Sequence, residues 1–239
     1  MTFVKKLHFL HRAYRYRFRS EPFGIKFVRD RLSPGDTAID IGANRGLFSY
    51  WMSKSIGPSG KLVAFEPQPE LQETLASVKG EFSLTNLEVV PAGLSDEIGQ
   101  FTLKRPMQNW GGASLEKRGS QELGYEEFDV SVTTLDLFAE QHGLANVSLI
   151  KCDVEGHELK VFRGGEQLLK TNRPAILFEC DDPNVPDCDV FHYLESIGYK
   201  GFCFHEGLTP VEQIPGLGDR LDPKAAKDFA FLPADQVQA

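Results

Sequence analysis

The segment Thr37–Gly46, TAIDIGANRG, limits what this 239-residue chain can fold into more than any other stretch. Thr37, Ala38, Ile39 and Ile41, with Asp40 among them, read as a strand running into a turn that holds Gly42 and Gly46. A helical pattern, LFSYWMSKSI, begins at once from Leu47. Glycine lets backbone approach a ligand closely, and the first N–H groups of a helix have no partner within it, so strand, turn and helix start make a small cradle. Twenty residues past Gly46 a second apolar run, KLVAFEP, reaches Glu66. An acid at the end of a second strand is placed to accept hydrogen bonds from ribose hydroxyls. A plain β-α-β unit, whose glycines only tighten a turn, fits the same letters.

The rhythm continues. A helix is expected from about Pro69 to Lys79 and a third strand over Leu87–Pro91, which argues for a parallel sheet with helices on both faces. Between Leu94 and Leu135 the pattern changes: GQFTL and FDVSVTTL alternate like antiparallel strands around an irregular, glycine-containing insertion. Such an insertion near strand ends is a usual place for substrate contacts, and Trp110 within it is a flat ring able to stack on a sugar. A helix over Leu135–His142 leads to a fourth strand, VSLIKCD, ending at Asp153. A helix interrupted at Gly164 and Gly165 follows, then strand PAILFEC, helix DVFHYLESIG, strand YKGFCF and strand DFAFLP. The last two are expected to pair as an antiparallel edge. The expected class is α/β, a doubly wound, mostly parallel seven-stranded sheet over residues 33–239, with residues 1–32 as an extension.

That extension, MTFVKKLHFLHRAYRYRFRS, spaces Phe3, Leu7, Leu10, Tyr14 and Phe18 as one apolar stripe along a helix. It can cover the domain, lie on an anionic membrane surface or meet another subunit. The net charge of −8 hides an asymmetry: residues 1–31 carry nine Lys or Arg against two acids, while the rest holds 17 basic and 32 acidic residues. So acidic a body is not a nucleic-acid partner, because phosphate binding depends on clustered cations. Cys152, Cys180, Cys188 and Cys203 form no CxxC pair or zinc spacing, which suits a reducing cytoplasm. No apolar run approaches the ~18 residues a membrane span needs.

In an open doubly wound sheet, ligands bind beyond the carboxyl ends of the strands. Those ends carry Asp40, Glu66, Asp153 with Glu155, and Glu179 with Asp181 and Asp182. If the chain is extended at Asp153 and Glu155, both side chains face one way. Either could instead cap the helix that starts near His157. Clustered carboxylate oxygens also suit Mg²⁺.

The series DIGANRG, FEPQPE, KCDVEGHELKVFRGG and RPAILFEC resembles the motifs of the FkbM-type S-adenosylmethionine-dependent methyltransferases, over about Ser33 to Gly201. The resemblance implies the class I methyltransferase fold and S-adenosylmethionine as cofactor. Asp40, Gly42, Asn44 and Gly46 would hold it, Glu66 and Pro67 would lie at its ribose, and Ala92 beside its adenine. It further implies O-methylation of a sugar, glycan or secondary metabolite. A sugar hydroxyl loses its proton on methylation, so Asp153 or Glu155 is expected as base or acceptor anchor, His157 as an alternative base, and Trp110 and Glu179 as acceptor contacts. Two other readings remain open: an NAD-dependent oxidoreductase, which Glu66 would serve equally well although DIGANRG is not GxGxxG, and a non-catalytic cofactor-binding module acting through a partner.

Overall fold

The computed structural model describes residues 3–107, 110–116, 124–180, 182, 185–204, 207–213 and 228–237. Its frame is one sheet. Strands β1 (Thr37–Ile41), β2 (Lys61–Phe65), β3 (Leu87–Val90), β7 (Val147–Cys152) and β8 (Ala175–Glu179) run parallel. Strand β11 (Asp228–Pro233) is antiparallel to both β8 and β9 (Tyr199–Phe204). A short strand, β10 (Leu208–Pro210), adds an eighth member, so the order is β10-β9-β11-β8-β7-β1-β2-β3. The sequence leads one to seven; the eighth is three residues long, shorter than periodicity can reveal. The antiparallel pairing of the last two strands is as expected, but β11 is wedged inside the sheet rather than lying at its edge.

Strand order reverses between β1 and β7, and there the strand ends open a crevice. The strands are apolar on both faces because helices cover both. On one side Ile39, Ile41, Ile150, Ile176 and Phe178 pack with α5 (Leu135–Gln141), α6 (Glu158–Arg163), α7 (Glu166–Asn172) and α8 (Asp189–Ser196). On the other, Ala38, Leu62, Ala64 and Leu149 meet α3 (Leu47–Ile56) and α4 (Pro69–Glu81). Alternation along β1 thus sends Ile39 and Ile41 one way and Ala38 the other.

The irregular region after β3 makes a second, three-stranded sheet: β4 (Gly93–Leu94), β5 (Gly99–Pro106) and β6 (Tyr125–Thr133). β5 and β6 pair antiparallel, as their alternation predicts.

Residues before the sheet pack onto the domain as α1 (Phe3–Arg15), one π-helical turn (Tyr16–Ser20) and α2 (Pro22–Arg31). Ile25 and Val28 of α2 are fully buried with α3, and Phe9 of α1 sits against the rings of Tyr50 and Phe82. The expected stripe is buried only in part: Leu10 packs against the core, but α1 docks mainly through Phe9 and Ala13, and Leu7, Tyr14 and, in the π-helical turn, Phe18 are exposed. No helix among the described residues is long and apolar enough to cross a membrane.

Candidate active site

The turn after β1 is built by close approach. Gly42 (φ +71°) sits so near β7 that a Cβ there would lie 1.9 Å from the carbonyl oxygen of Asp153. Gly46 (φ +75°) would meet Leu75 at 2.7 Å. The glycines thus answer first to neighbouring protein atoms. Asn44 between them is also left-handed, with φ +51°, a conformation Asn tolerates better than most side chains. Its N–H donates to Glu66 Oε2 at 2.7 Å, which ties the turn to the end of β2.

Glu66 is buried. Its other oxygen accepts from the Gln68 N–H at 2.9 Å. Burial pushes its carboxyl up to about 7 despite those two backbone donors, a hydrogen bond from the Gln68 side chain and the charge of Lys151. A carboxylate offers about four lone-pair positions, so Glu66 keeps acceptor capacity toward the slot it lines. That slot runs from Gly42 and Asn44 past Glu66, Pro67 and Ala92, between the apolar side chains of Phe65, Leu103, Ala113 and Leu115. Glu155 and His157 stand on its far side.

Asp40 lines neither this slot nor the neighbouring cavity. It is fully buried beneath the turn. Ser49 Oγ donates to its Oδ2, and Lys151 Nζ lies 3.8 Å from its Oδ1. Burial raises its carboxyl, while Lys151 and Ser49 act the other way. Lys151, on β7, also donates to Asp153 Oδ2 at 3.2 Å. Burial works against the Lys151 charge, but Asp153 and Asp40 outweigh it and hold the ammonium well above its ordinary range. Asp40 therefore fixes Lys151, and through it Asp153, from behind the wall.

After β7 the chain does not stay extended. Glu155 is left-handed (φ +56°) and Gly156 follows at φ +96°. The turn is pinned by Glu158, whose Oε1 accepts from the N–H groups of Val154 (3.1 Å) and Gly156 (3.2 Å). No side chain caps α6, so neither Asp153 nor Glu155 is its cap, and Glu158 instead holds the turn before it. The insertion folds over this turn: Ser114 Oγ donates to the Glu155 carbonyl at 2.8 Å. His157 is held at both nitrogens, Nδ1 against Glu116 Oε1 (2.7 Å) and Nε2 against Ser95 Oγ (2.9 Å). Burial lowers its pKa, with Glu116 opposing. Trp110 begins a short turn whose next residue, Gly111, lines the slot; the Trp110 side chain lies outside the described residues, as does Asp181.

Beside the slot lies a polar cavity of about 230 Å³. Lys151, Asp153, Glu179 and Asp228 come to it from the strand ends, Arg45 and Phe48 from the turn and start of α3. Arg12, Tyr16 and Glu21 come from the N-terminal segment. Glu21 and Asp228 are hydrogen-bonded to each other through their carboxyls. Burial first, then Asp228, pushes Glu21 up to about 9, and burial raises Asp228 too. Asp228 lies directly across the strand pair from Glu179. Sequence reading missed Arg12, Tyr16, Glu21, Arg45 and Asp228; the only signal was that Asp228 opens the last strand. The carboxylates do not converge on an Mg²⁺ site: among the described residues no group of three or more His, Cys, Asp or Glu is arranged to hold a metal ion.

A doubly wound sheet with a glycine turn after β1, an acid after β2 and two adjoining cavities at the strand ends is an architecture suited to a nucleoside beside a second ligand. Residues 40–200 match the Methyltransferase FkbM domain, about two thirds of the chain, and the protein belongs to that family. Methyltransferase sdnD of Sordaria araneosa is 30% identical over 156 residues, covering 54% of this chain and 60% of its own. The chain thus spans about 60% of the length of the curated methyltransferases it matches. Among solved structures, Methyltransferase FkbM from Methylobacillus flagellatus superposes with TM-score 0.56 at 14% identity, over 92% of this chain and 52% of its own. A putative methyltransferase from Streptococcus mutans in complex with SAH superposes with TM-score 0.50 at 8% identity, over 90% and 97%. These two likenesses establish the class I methyltransferase fold.

Proposed function

We propose that the protein transfers a methyl group from S-adenosylmethionine to a hydroxyl oxygen of a small polar acceptor, such as a sugar, a glycan or a secondary metabolite. The observation that carries this reading is the meeting of slot and cavity: Gly42, Asn44, Gly111 and Asp153 line both. A transfer reaction needs two ligands whose reacting atoms touch at one shared boundary, and alignment there supplies much of the rate. When bound, S-adenosylmethionine supplies a methyl carbon activated by a cationic sulfur. The slot suits its nucleoside: Glu66 has free lone pairs for ribose hydroxyls, and the apolar walls near Ala92 suit a purine. The SAH held by the Streptococcus mutans protein supports the same choice.

Asp153 stands at the boundary and takes the proton that the acceptor hydroxyl releases, a contribution of ~10²–10⁴-fold for a well-placed base. Lys151 orients its carboxylate. Glu155 lines the slot alone and sits on the nucleoside side. His157, with both nitrogens engaged, positions the turn instead of moving protons. Within the cavity, Arg12 and Arg45 offer donors, Glu179 offers acceptors, and the Glu21–Asp228 pair shares a proton at neutral pH. That mixture of donors and acceptors fits an acceptor rich in hydroxyls. The carboxylates also favour positive charge at the boundary.

Calorimetry with S-adenosylhomocysteine and with NAD, followed by transfer assays over sugar, glycoside and polyketide alcohols, tests the reading. Heat with the former, none with NAD, and an O-methyl product are expected. No heat with S-adenosylhomocysteine would refute it.

A further inference from the structure

The N-terminal segment has two faces with different occupants. Its inner face is spent: Phe9 and Ala13 are buried, Trp51 Nε1 donates to the Ala13 carbonyl at 3.1 Å, and Arg12, Tyr16 and Glu21 line the polar cavity. Its outer face is apolar and open. Val4 is 72% exposed, Leu7 52%, Tyr14 49% and Phe18 62%, with Phe23 at the start of α2 at 46%. These are five of the eight large apolar residues exposed among the described residues. Residues 4, 7, 14 and 18 recur at helical spacing along one side. Lys5, Arg15 and Arg19 are exposed around them, and no acid precedes Glu21, which is half-buried between this face and the cavity.

We propose that this face docks on an anionic lipid bilayer. An amphipathic helix with apolar residues on one side and cations at its rim lies in the interface plane of a membrane. Charge selects the occupant. Lys5, Arg15 and Arg19 give the exposed face a positive charge, so the same face of a second copy would repel it, whereas anionic headgroups attract it. The remaining body, with 32 acids against 17 cations, is repelled by the same lipids, which leaves the basic face as the one that can approach. A shallow outer groove formed by His11, Tyr14, Arg15, Phe18 and Arg19 includes Glu21, which also lines the polar cavity. A headgroup in that groove is one side chain away from the cavity.

The test is co-sedimentation of the full chain with vesicles of phosphatidylcholine containing phosphatidylglycerol, against pure phosphatidylcholine vesicles, at low and high salt. Binding is expected only with the anionic vesicles, and is expected to fall at 1 M salt. Replacing Lys5, Arg15 and Arg19 by Ala is expected to weaken it about 5-fold per cation, roughly 100-fold together. The Leu7→Ser/Phe18→Ser pair is expected to abolish it. None of these five side chains lines the slot or the cavity, so S-adenosylhomocysteine binding and the thermal midpoint, read on the same samples, report folding independently of docking. The docking proposal does not depend on the methyl-transfer reading. Failure to pellet with anionic vesicles would overturn it. So would pelleting that ignores lipid charge and salt, or a dimer without vesicle binding that Leu7→Ser/Phe18→Ser dissolves.

Discussion

Glu66 should make cofactor binding depend on pH close to neutrality. Its carboxyl is pushed up to about 7 by burial, because the Gln68 and Asn44 N–H donors, the Gln68 side chain and Lys151 recover only part of the lost hydration. Ribose hydroxyls donate best to the ionised form, so the binding-competent fraction of free protein is the ionised fraction. Apparent affinity scales with that fraction, which is about 0.1 at pH 6 and about 0.9 at pH 8, a difference of ~10-fold. Calorimetry of S-adenosylhomocysteine binding at pH 6, 7 and 8, in buffers of different ionisation heat, reads both the affinity and the proton. About half a proton should be released per molecule bound at pH 7. Glu66→Gln removes the titration and a charged acceptor, so its affinity should be nearly flat with pH. At pH 8 it should be weaker than the parent by ~10–100-fold, the worth of hydrogen bonds to a charged group. His157, whose pKa burial lowers, is present in both proteins, so the difference between the parent and Glu66→Gln isolates Glu66. A flat profile in the parent, or the same slope in Glu66→Gln, would refute the assignment of Glu66 to the ribose.

Further outcomes follow from the same geometry. Glu21 (about 9) and Glu66 (about 7) both stand above the 4.5 of an unfolded glutamate, so the folded protein binds more protons than the unfolded chain between those values. The stability they contribute is present in full below about 4.5 and lost as pH rises through 7 and 9. The ligand-free thermal midpoint should fall across that window, and Glu21→Gln should flatten its alkaline part. Gly42→Ala places a Cβ 1.9 Å from the Asp153 carbonyl at φ +71°, so urea denaturation should show a loss of roughly 3 kcal/mol or more. Asp153→Asn should slow single-turnover methyl transfer by ~10²-fold or more, with S-adenosylhomocysteine affinity changed far less; unchanged turnover at saturating acceptor would remove Asp153 as the base.

What sequence could show divides along a physical line. The β1 turn, the acid after β2 and the pairing of β5 with β6 are local patterns, in which alternation, a glycine pair or a strand end announces itself within ten or twenty residues. Asp40 carried the right letter for the wrong reason: a strand-end acid reads as a ligand, and only the third dimension reveals Ser49 and Lys151 closing around it. The stripe on α1 held only in part, since Leu10 packs on the core and Leu7 does not. Both faces of that helix are apolar, and spacing cannot say whether Phe9 or Leu7 meets the core. α2 was hidden by Gly24, which weakens a helical pattern yet is needed where it stands. A Cβ there would come within 3.1 Å of Asp228 Oδ2 and 3.2 Å of Phe48, so glycine admits the last strand's carboxyl beside the helix. That approach brings Asp228 to Glu21. The pair comes from opposite ends of the chain, and no local pattern could have joined them. The legible half of the site is the slot, assembled from consecutive strand ends. The polar cavity adds to those strand ends Arg12, Tyr16 and Glu21 from the first helices and Asp228 from the last strand, which no local pattern joins to them.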